Sequence, residues 1–359
     1  MKTDRITMRT CKPALGIGFL RTGRLIPALL LCLLLLAPAC AKKEKPAAGT
    51  TGVPIKVGLV FDVGGRGDKS FNDSAYRGLE KARDELGISF EYVEPGEGTD
   101  RESALRLLAS GDAQVIFGTG FLFTDDITAI ARDFPQKKFA CVDYAVSPGD
   151  TIPPNLVALK FREEEGSFLV GAIAALVSKT GKIGFVGGMK IPLIKKFEAG
   201  YTAGAKYARP GAEVMIAYAG VTGNAFKNPS KGKELGLSQY SKGADVIFHA
   251  SGSTGLGVFE AARETGKLAI GVDSDQYSEA PGHILTSMIK DVDVAVYETI
   301  KSVIDGTFKG GVRALGLAEG GISYVYDENN RALIDENVRR QIEQLKEKII
   351  SGEIVVPST

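Results

Sequence analysis

From residue 55 onward, short apolar runs alternate with amphipathic stretches. Ile55–Asp62, Ile88–Pro95, Ala113–Gly120 and Lys137–Tyr144 are β-rich and nearly continuous in apolar residues. Between them, Ser70–Leu86, Asp100–Ser110 and Thr124–Asp133 read as helices. In the first, Leu79, Ala82, Arg83 and Leu86 form a stripe at helical spacing that Gly87 ends. Continuous apolar strands separated by helices predict a parallel sheet covered on both faces. The rhythm restarts with a strand at Lys182–Gly188, a helix over Ile194–Tyr207, a strand at Ala212–Gly220 and a helix over 228–243. Strands at Ala244–Gly252 and Lys267–Asp275 follow, and after them one more strand and helix in HILTSMIKDVDVAVYETIKSVIDG. The segment GGISYVYDENN and a helix over Asp335–Ile350 close the chain. Two such series predict two doubly wound lobes. Ligands of such sheets sit outside the carboxyl ends of the strands, so two facing lobes make a clamshell receptor whose hinge the chain crosses more than once.

The first 40 residues break this pattern. Lys2, Arg5, Arg9, Lys12, Arg21 and Arg24 precede the apolar run LIPALLLCLLLLAPA, as in a secretory signal. Ala37-Pro38-Ala39-Cys40 follows and resembles a lipoprotein cleavage box, with Ala37 where leucine is usual. Cleavage before Cys40 and acylation of its sulfur would anchor the chain to a lipid bilayer, on the extracytoplasmic side of a cell membrane. Residues 1–39 are then the signal and 40–53 a linker. The partition expected for the rest is 54–158 with about 278–310 as the N-terminal lobe, and 159–277 with about 311–359 as the C-terminal lobe.

Loss of the signal removes Cys11 and Cys32 and, with six bases and one acid gone, turns a net charge of +1 into −4. Only Cys141 remains besides the lipidated Cys40, so no intramolecular disulfide is expected. A mildly acidic body argues against a nucleic-acid partner.

Candidate chemistry gathers at the strand ends. The stretch GGRGDKSFND after the first strand is glycine-rich and holds Lys69-Ser70, but a phosphate-binding P-loop needs glycine before that lysine. Here Asp68 stands there, and its carboxylate would repel phosphate. Asp62, Lys69, Ser70, Phe71 and Asn72 are left as a polar loop with one aromatic. Phe71 is open to two readings, a staple at the helix entry or a platform for a flat ligand. Other strand ends deliver Asp143, the Gly252–Gly255 turn, Asp273 and Lys290, and Phe197 takes the place in the second series that Phe71 has in the first. Catalytic sets are scarce. There are two histidines, His249 inside an apolar strand and His283 after a turn, and no G-x-S-x-G elbow or Cys-His cluster. No cofactor or metal is expected.

Five stretches together, DVGGRGDKSFNDSAYRGL, FREEEGSFLVGAIAAL, GFVGGMKIPLIKKFEAGY, GVDSDQ and TSMIKDVDVAVYETI, resemble the basic membrane protein lipoproteins, which include the PnrA-like purine nucleoside receptors of ABC importers. The resemblance implies an α/β type I periplasmic-binding-protein fold and a non-enzymatic role: capture of a purine nucleoside (guanosine, inosine or adenosine) and delivery to an ABC permease. It implies Phe71 and Phe197 as a sandwich for the base, with Asn72 and Asp143 on its polar edge. It also implies Asp273 and Lys290 on the ribose hydroxyls and backbone contacts from Gly252–Gly255. The alternatives are another small molecule such as a sugar or furanose signal, a nucleoside-cleaving enzyme, and a surface lipoprotein that binds no ligand.

Overall fold

The computed structural model describes residues 54–95, 100–147 and 149–359. The expected signal, Cys40 and the linker lie outside the described residues. Residues 52–359 make one compact unit.

The chain forms β1 (Lys56–Val60), α1 (Phe71–Leu86), β2 (Ser89–Val93), α2 (Arg101–Ser110), β3 (Val115–Thr119), α3 (Thr124–Asp133), β4 (Lys138–Val142) and β5 (Leu156–Phe161). It continues through α4 (Glu163–Val177), β6 (Lys182–Met189), α5 (Pro192–Ala208), β7 (Glu213–Gly220), α6 (Pro229–Ser241), β8 (Val246–Ala250), α7 (Thr254–Thr265) and β9 (Leu268–Asp273). The last elements are β10 (Ile284–Lys290), α8 (Val292–Ile304), β11 (Gly311–Leu315), β12 (Ile322–Tyr324) and α9 (Glu336–Ile350).

Two six-stranded sheets result, ordered β11-β5-β4-β3-β1-β2 and β12-β10-β9-β8-β6-β7. Each is parallel except that β12 runs antiparallel to β10. Central strands are buried along their whole length, as in Val115–Thr119 and Val246–Ala250. The near-continuous apolar runs therefore do what both-face burial requires.

Three segments cross between the lobes: 161–163 after β5, 290–292 after β10, and 315–322 between β11 and β12. This corrects the expected partition in three places, the first being that β5 stays in the first sheet to Phe161, so the lobe boundary lies after 161 and not after 158. Residues 278–310 are split, since β10 belongs to the second sheet while α8 packs on α1 of the first lobe. A Cβ at Gly78 of α1 would lie 2.6 Å from the Asp293 carbonyl of α8. Residues 311–359 are split as well, because β11 pairs with β5 in the first sheet. A strand and the helix after it lie in different lobes here, which local periodicity does not reveal.

Helices α4 and α5 carry the second lobe's side of the hinge and pack backbone to backbone. A Cβ at Gly171 would lie 2.1 Å from the Tyr201 carbonyl, at Gly200 2.2 Å from that of Glu164, and at Gly204 1.9 Å from that of Phe168. Only glycine fits such approaches. Most of α4 is buried, including Phe168, Leu169, Val170 and Ile173.

Candidate functional site

The carboxyl ends of β1, β4, β8, β9 and β10 converge on an inter-lobe cavity of about 570 Å³. Eight of the anticipated residues line it: Asp62, Phe71, Asn72, Asp143, Phe197, Gly252, Asp273 and Lys290. The wall also contains Ser251, at the strand end that leads into the Gly252–Gly255 turn, and Phe121, Leu193, Ile194 and Phe226, which sequence reasoning did not single out.

Lys290 is the centre of the site. It ends β10, is 1% exposed, and its ammonium lies 2.6 and 2.7 Å from the two oxygens of Asp143. Glu163 Oε1 is 3.1 Å away on another side. Three aromatic rings surround the same nitrogen, with centroids at 5.0 Å (Phe161), 5.2 Å (Phe71) and 5.8 Å (Phe197), within cation–π range. Burial by itself would lower the lysine's pKa, but Asp143, Glu163 and Asp273 outweigh it and hold the ammonium charged.

The charges continue behind Lys290. Lys196 of α5 donates to Glu163 Oε2 at 2.7 Å and to the Phe161 carbonyl at 2.5 Å, and lies 3.3 Å from Glu164. Burial would raise the Glu163 pKa, yet Lys290 and Lys196 keep it below the ordinary range. The sequence alone does not single out Glu163 among the three successive acids Glu163, Glu164 and Glu165. Its signal is positional: it is the first residue of α4, next to a chain crossover, and 1% exposed.

Three non-glycine residues among those described have left-handed backbone: Lys69 (φ 56°), Asp143 (φ 61°) and Asp273 (φ 64°). Such positions cost of order 1–3 kcal/mol each and cluster at functional sites. Two of the three bring a carboxylate to the cavity wall. Burial pushes the Asp273 pKa up to about 6, with Lys290 and the Ser70 hydroxyl partly offsetting it. Burial likewise pushes Asp62 to about 7, moderated by the Val63 amide and Arg101.

The first loop is held by Asp68, which is 3% exposed. Its carboxylate accepts from the backbone N–H of Ser70 (2.9 Å), Asn72 (2.9 Å) and Asp73 (3.1 Å), and from Asn72 Nδ2 (3.1 Å). Asp68 therefore caps α1, and the Arg66-Gly67-Asp68 tripeptide presents no free acid. Asn72 is largely committed too, since its Oδ1 accepts from the Asp62 N–H at 3.0 Å. Of its two amide protons, one is left for a ligand.

Lys69, Ser70 and Gly255 do not line the cavity. Ser70 Oγ donates to Asp273 across the lobes, and the Lys69 carbonyl accepts from Gln276 Nε2 at 3.0 Å. Arg77 Nη2 donates to Ser274 Oγ at 2.8 Å along the same seam. These residues join the lobes to one another. Gly255 makes room for a ring, since a Cβ there would lie 2.0 Å from His249 Cε1. His249 itself is fully buried beside Gln276 and Phe259, and burial lowers its pKa to about 4. It is a packed strand residue.

At the cleft lip, the short turn Gly223–Phe226 of the second lobe meets the first. A Cβ at Gly223 would lie 3.0 Å from Val63 and 3.6 Å from Leu122. Among the described residues no cluster of three metal-ligating side chains occurs, and no helix is long and apolar enough to cross a membrane.

The model of a protein family described as ABC transporter substrate-binding protein PnrA-like matches residues 55–359. A CD4+ T-cell-stimulating antigen of Listeria monocytogenes is 37% identical over 84% of this chain and 87% of its own length. Basic membrane protein A of Borreliella afzelii is 38% identical over 86% and 92%. An uncharacterised lipoprotein of Pyrococcus horikoshii is 41% identical over 76% and 69%. Among solved structures, an ABC-transporter solute-binding protein from Aeropyrum pernix superposes with a TM-score of 0.76 at 34% identity, covering 85% of this chain and 94% of that one.

Proposed function

Because this chain belongs to the family of PnrA-like ABC transporter substrate-binding proteins, we propose that its ligand is a purine nucleoside, held in the inter-lobe cavity for delivery to a membrane permease. The family binds and releases; no reaction is assigned to the site. The observation that carries the reading is the pair of aromatic rings, Phe71 and Phe197, beside one buried ammonium in a cavity that also holds Asp143 and Asp273. Flat bases stack on aromatic faces whatever their sequence context. Carboxylates accept from ring N–H and ribose O–H groups, while a phosphate brought near Asp143 and Asp273 would meet like charge. The ligand is therefore an uncharged nucleoside rather than a nucleotide.

In this reading Phe71 and Phe197 flank the base, and Asp143 with the free amide proton of Asn72 meets its edge. Asp273 and Lys290 take the ribose hydroxyls, with Gly252 contributing backbone. Ligand favours the arrangement in which the seam of Ser70, Asp273, Gln276 and Lys69 is made, and a permease that recognises that arrangement receives a loaded protein. Acylation of Cys40 would keep the protein at the extracytoplasmic face of the bilayer. Cys40→Ala should abolish palmitate labelling and release the protein from membranes.

The decisive measurement is calorimetric titration of residues 52–359, unfolded and refolded to strip bound ligand. Guanosine, inosine, adenosine, cytidine, ribose and guanosine monophosphate would be compared. One-to-one binding of purine nucleosides with ribose and the monophosphate silent is expected. Absence of heat from every nucleoside would sink the proposal.

A further inference from the structure

Glu163 Oε1 is buried and accepts no hydrogen bond, although Lys290 Nζ is only 3.1 Å away. A buried carboxylate oxygen without a donor is costly and rare. The ammonium instead donates to Asp143 Oδ2 at 2.7 Å, and it lies 2.6 Å from Asp143 Oδ1, which like Glu163 Oε1 is buried and accepts no hydrogen bond. The other oxygen of Glu163 is fixed by Lys196 at 2.7 Å, so the carboxylate does not turn away.

We propose that Glu163 is a positioning residue that gives the Lys290 ammonium a second resting place, so that Asp143 can accept hydrogen bonds from the ligand's base edge. The proposal rests on the nucleoside reading above. A carboxylate has about four acceptor directions and an ammonium three protons. Lys290 occupies Asp143 Oδ2 and its charge faces Oδ1, so part of that capacity is used up. When a ring N–H reaches Asp143, the ammonium leans toward Glu163 Oε1 and completes the hydrogen bond missing there. The move keeps every charge paired and carries Lys290 no farther than the adjacent carboxylate. Its consequence is specificity. A base with an N–H donor on that edge, as in a 6-oxopurine, recruits Asp143 fully, whereas a base with only acceptors leaves Asp143 to Lys290 and gains nothing from Glu163. Glu163 thus helps set the preference for donor-bearing bases without touching them.

The test compares inosine, which has the ring N–H, with purine riboside, which lacks it, in the wild-type protein and in Glu163→Gln. Wild type should favour inosine. Glu163→Gln removes the charge that draws the ammonium away and should shrink that preference by about 10- to 100-fold, the range for a hydrogen bond to a charged group. Loss should fall on inosine, with purine riboside little changed. An unchanged ratio, or equal loss for both ligands, overturns the proposal. A second measurement needs no variant of Glu163. In ¹⁵N-lysine-labelled wild-type protein, with Lys290 assigned through Lys290→Arg, inosine should move the Lys290 Nζ resonance farther than purine riboside does. Equal shifts overturn the proposal even if Glu163→Gln fails to fold. Failure of wild type to bind either nucleoside would remove the nucleoside reading and this proposal with it, an outcome distinct from an unchanged ratio.

Discussion

Replacing Lys290 by methionine keeps a long apolar stem and deletes the ammonium. Asp143 then loses contacts of 2.6 and 2.7 Å and Glu163 one of 3.1 Å, in a place where the lysine was 1% exposed. Breaking a buried ion pair from one side costs about 3–5 kcal/mol, because the partner's charge is stranded. Burial raises the pKa of a carboxyl in the same wall: Asp62 is pushed up to about 7. Burial already pushes the Asp143 pKa up in the intact protein while Lys290 pulls it down, so loss of the ammonium raises it further and the folded state holds the proton more tightly. Stability is then retained at low pH and lost as pH rises through the folded pKa. The variant's deficit should therefore approach about 3–5 kcal/mol at pH 8, where the stranded carboxylates are ionised, and be smaller at pH 5. Urea unfolding of both proteins at the two pH values measures it, with no ligand present. A deficit equal at both pH values, or one below about 1 kcal/mol at pH 8, would show that Lys290 is not holding buried charge.

Three further outcomes follow from the geometry. Phe71→Ala should weaken nucleoside binding by about 1–3 kcal/mol with little change in melting temperature, since Phe71 is only partly buried; an unchanged affinity by calorimetry would return Phe71 to the role of a helix staple. Binding should strengthen between pH 5 and 7.5, because Asp273 must be ionised to accept ribose hydroxyls and its pKa is about 6; a flat calorimetric profile would remove Asp273 from the contact set. Gly223→Phe should leave the thermal melt unaltered but reduce affinity about tenfold and raise the radius of gyration in scattering, because its side chain wedges between the lips at Val63 and Leu122; an unaffected affinity would mean that those lips need not meet.

Much of this architecture was legible because both-face burial writes itself into strands as apolar runs. The helix over Thr124–Asp133 falls on the residues expected, and β1, β3 and β4 lie within their predicted runs. What escaped has physical reasons. The strand Leu156–Phe161 is short, follows a proline pair, and is interrupted by Lys160. The helix Glu163–Val177 is apolar nearly all round, so it has no polar face to give it a period. Phe71, Asp143, Phe197, Asp273 and Lys290 could be named at strand ends and helix starts, where a ligand of a doubly wound fold has to be. Ser70 and Lys69 were named as well, but they stitch the lobes together, and only the distance from Ser70 to the second lobe's Asp273 tells those roles apart. Glu163 is recognised only once Lys196 and Lys290, distant in sequence, are seen on either side of it.

The glycines between α4 and α5 have a mechanical consequence. With Gly171, Gly200 and Gly204 each facing a carbonyl of the opposite helix, the two helices have no cushion of side chains on which to slip. Phe197 rides on one and Glu163 begins the other, so the aromatic wall of the cavity and the residue beside the crossover form a single stiff lever. A ligand that pressed on Phe197 would press on both helices at once, and through Glu163 on the crossover at 161–163. Affinity and signalling to a permease are therefore separable properties of this fold. A change in this seam, far from any bound molecule, could leave the cavity's chemistry intact and still yield a receptor that captures its ligand without reporting it.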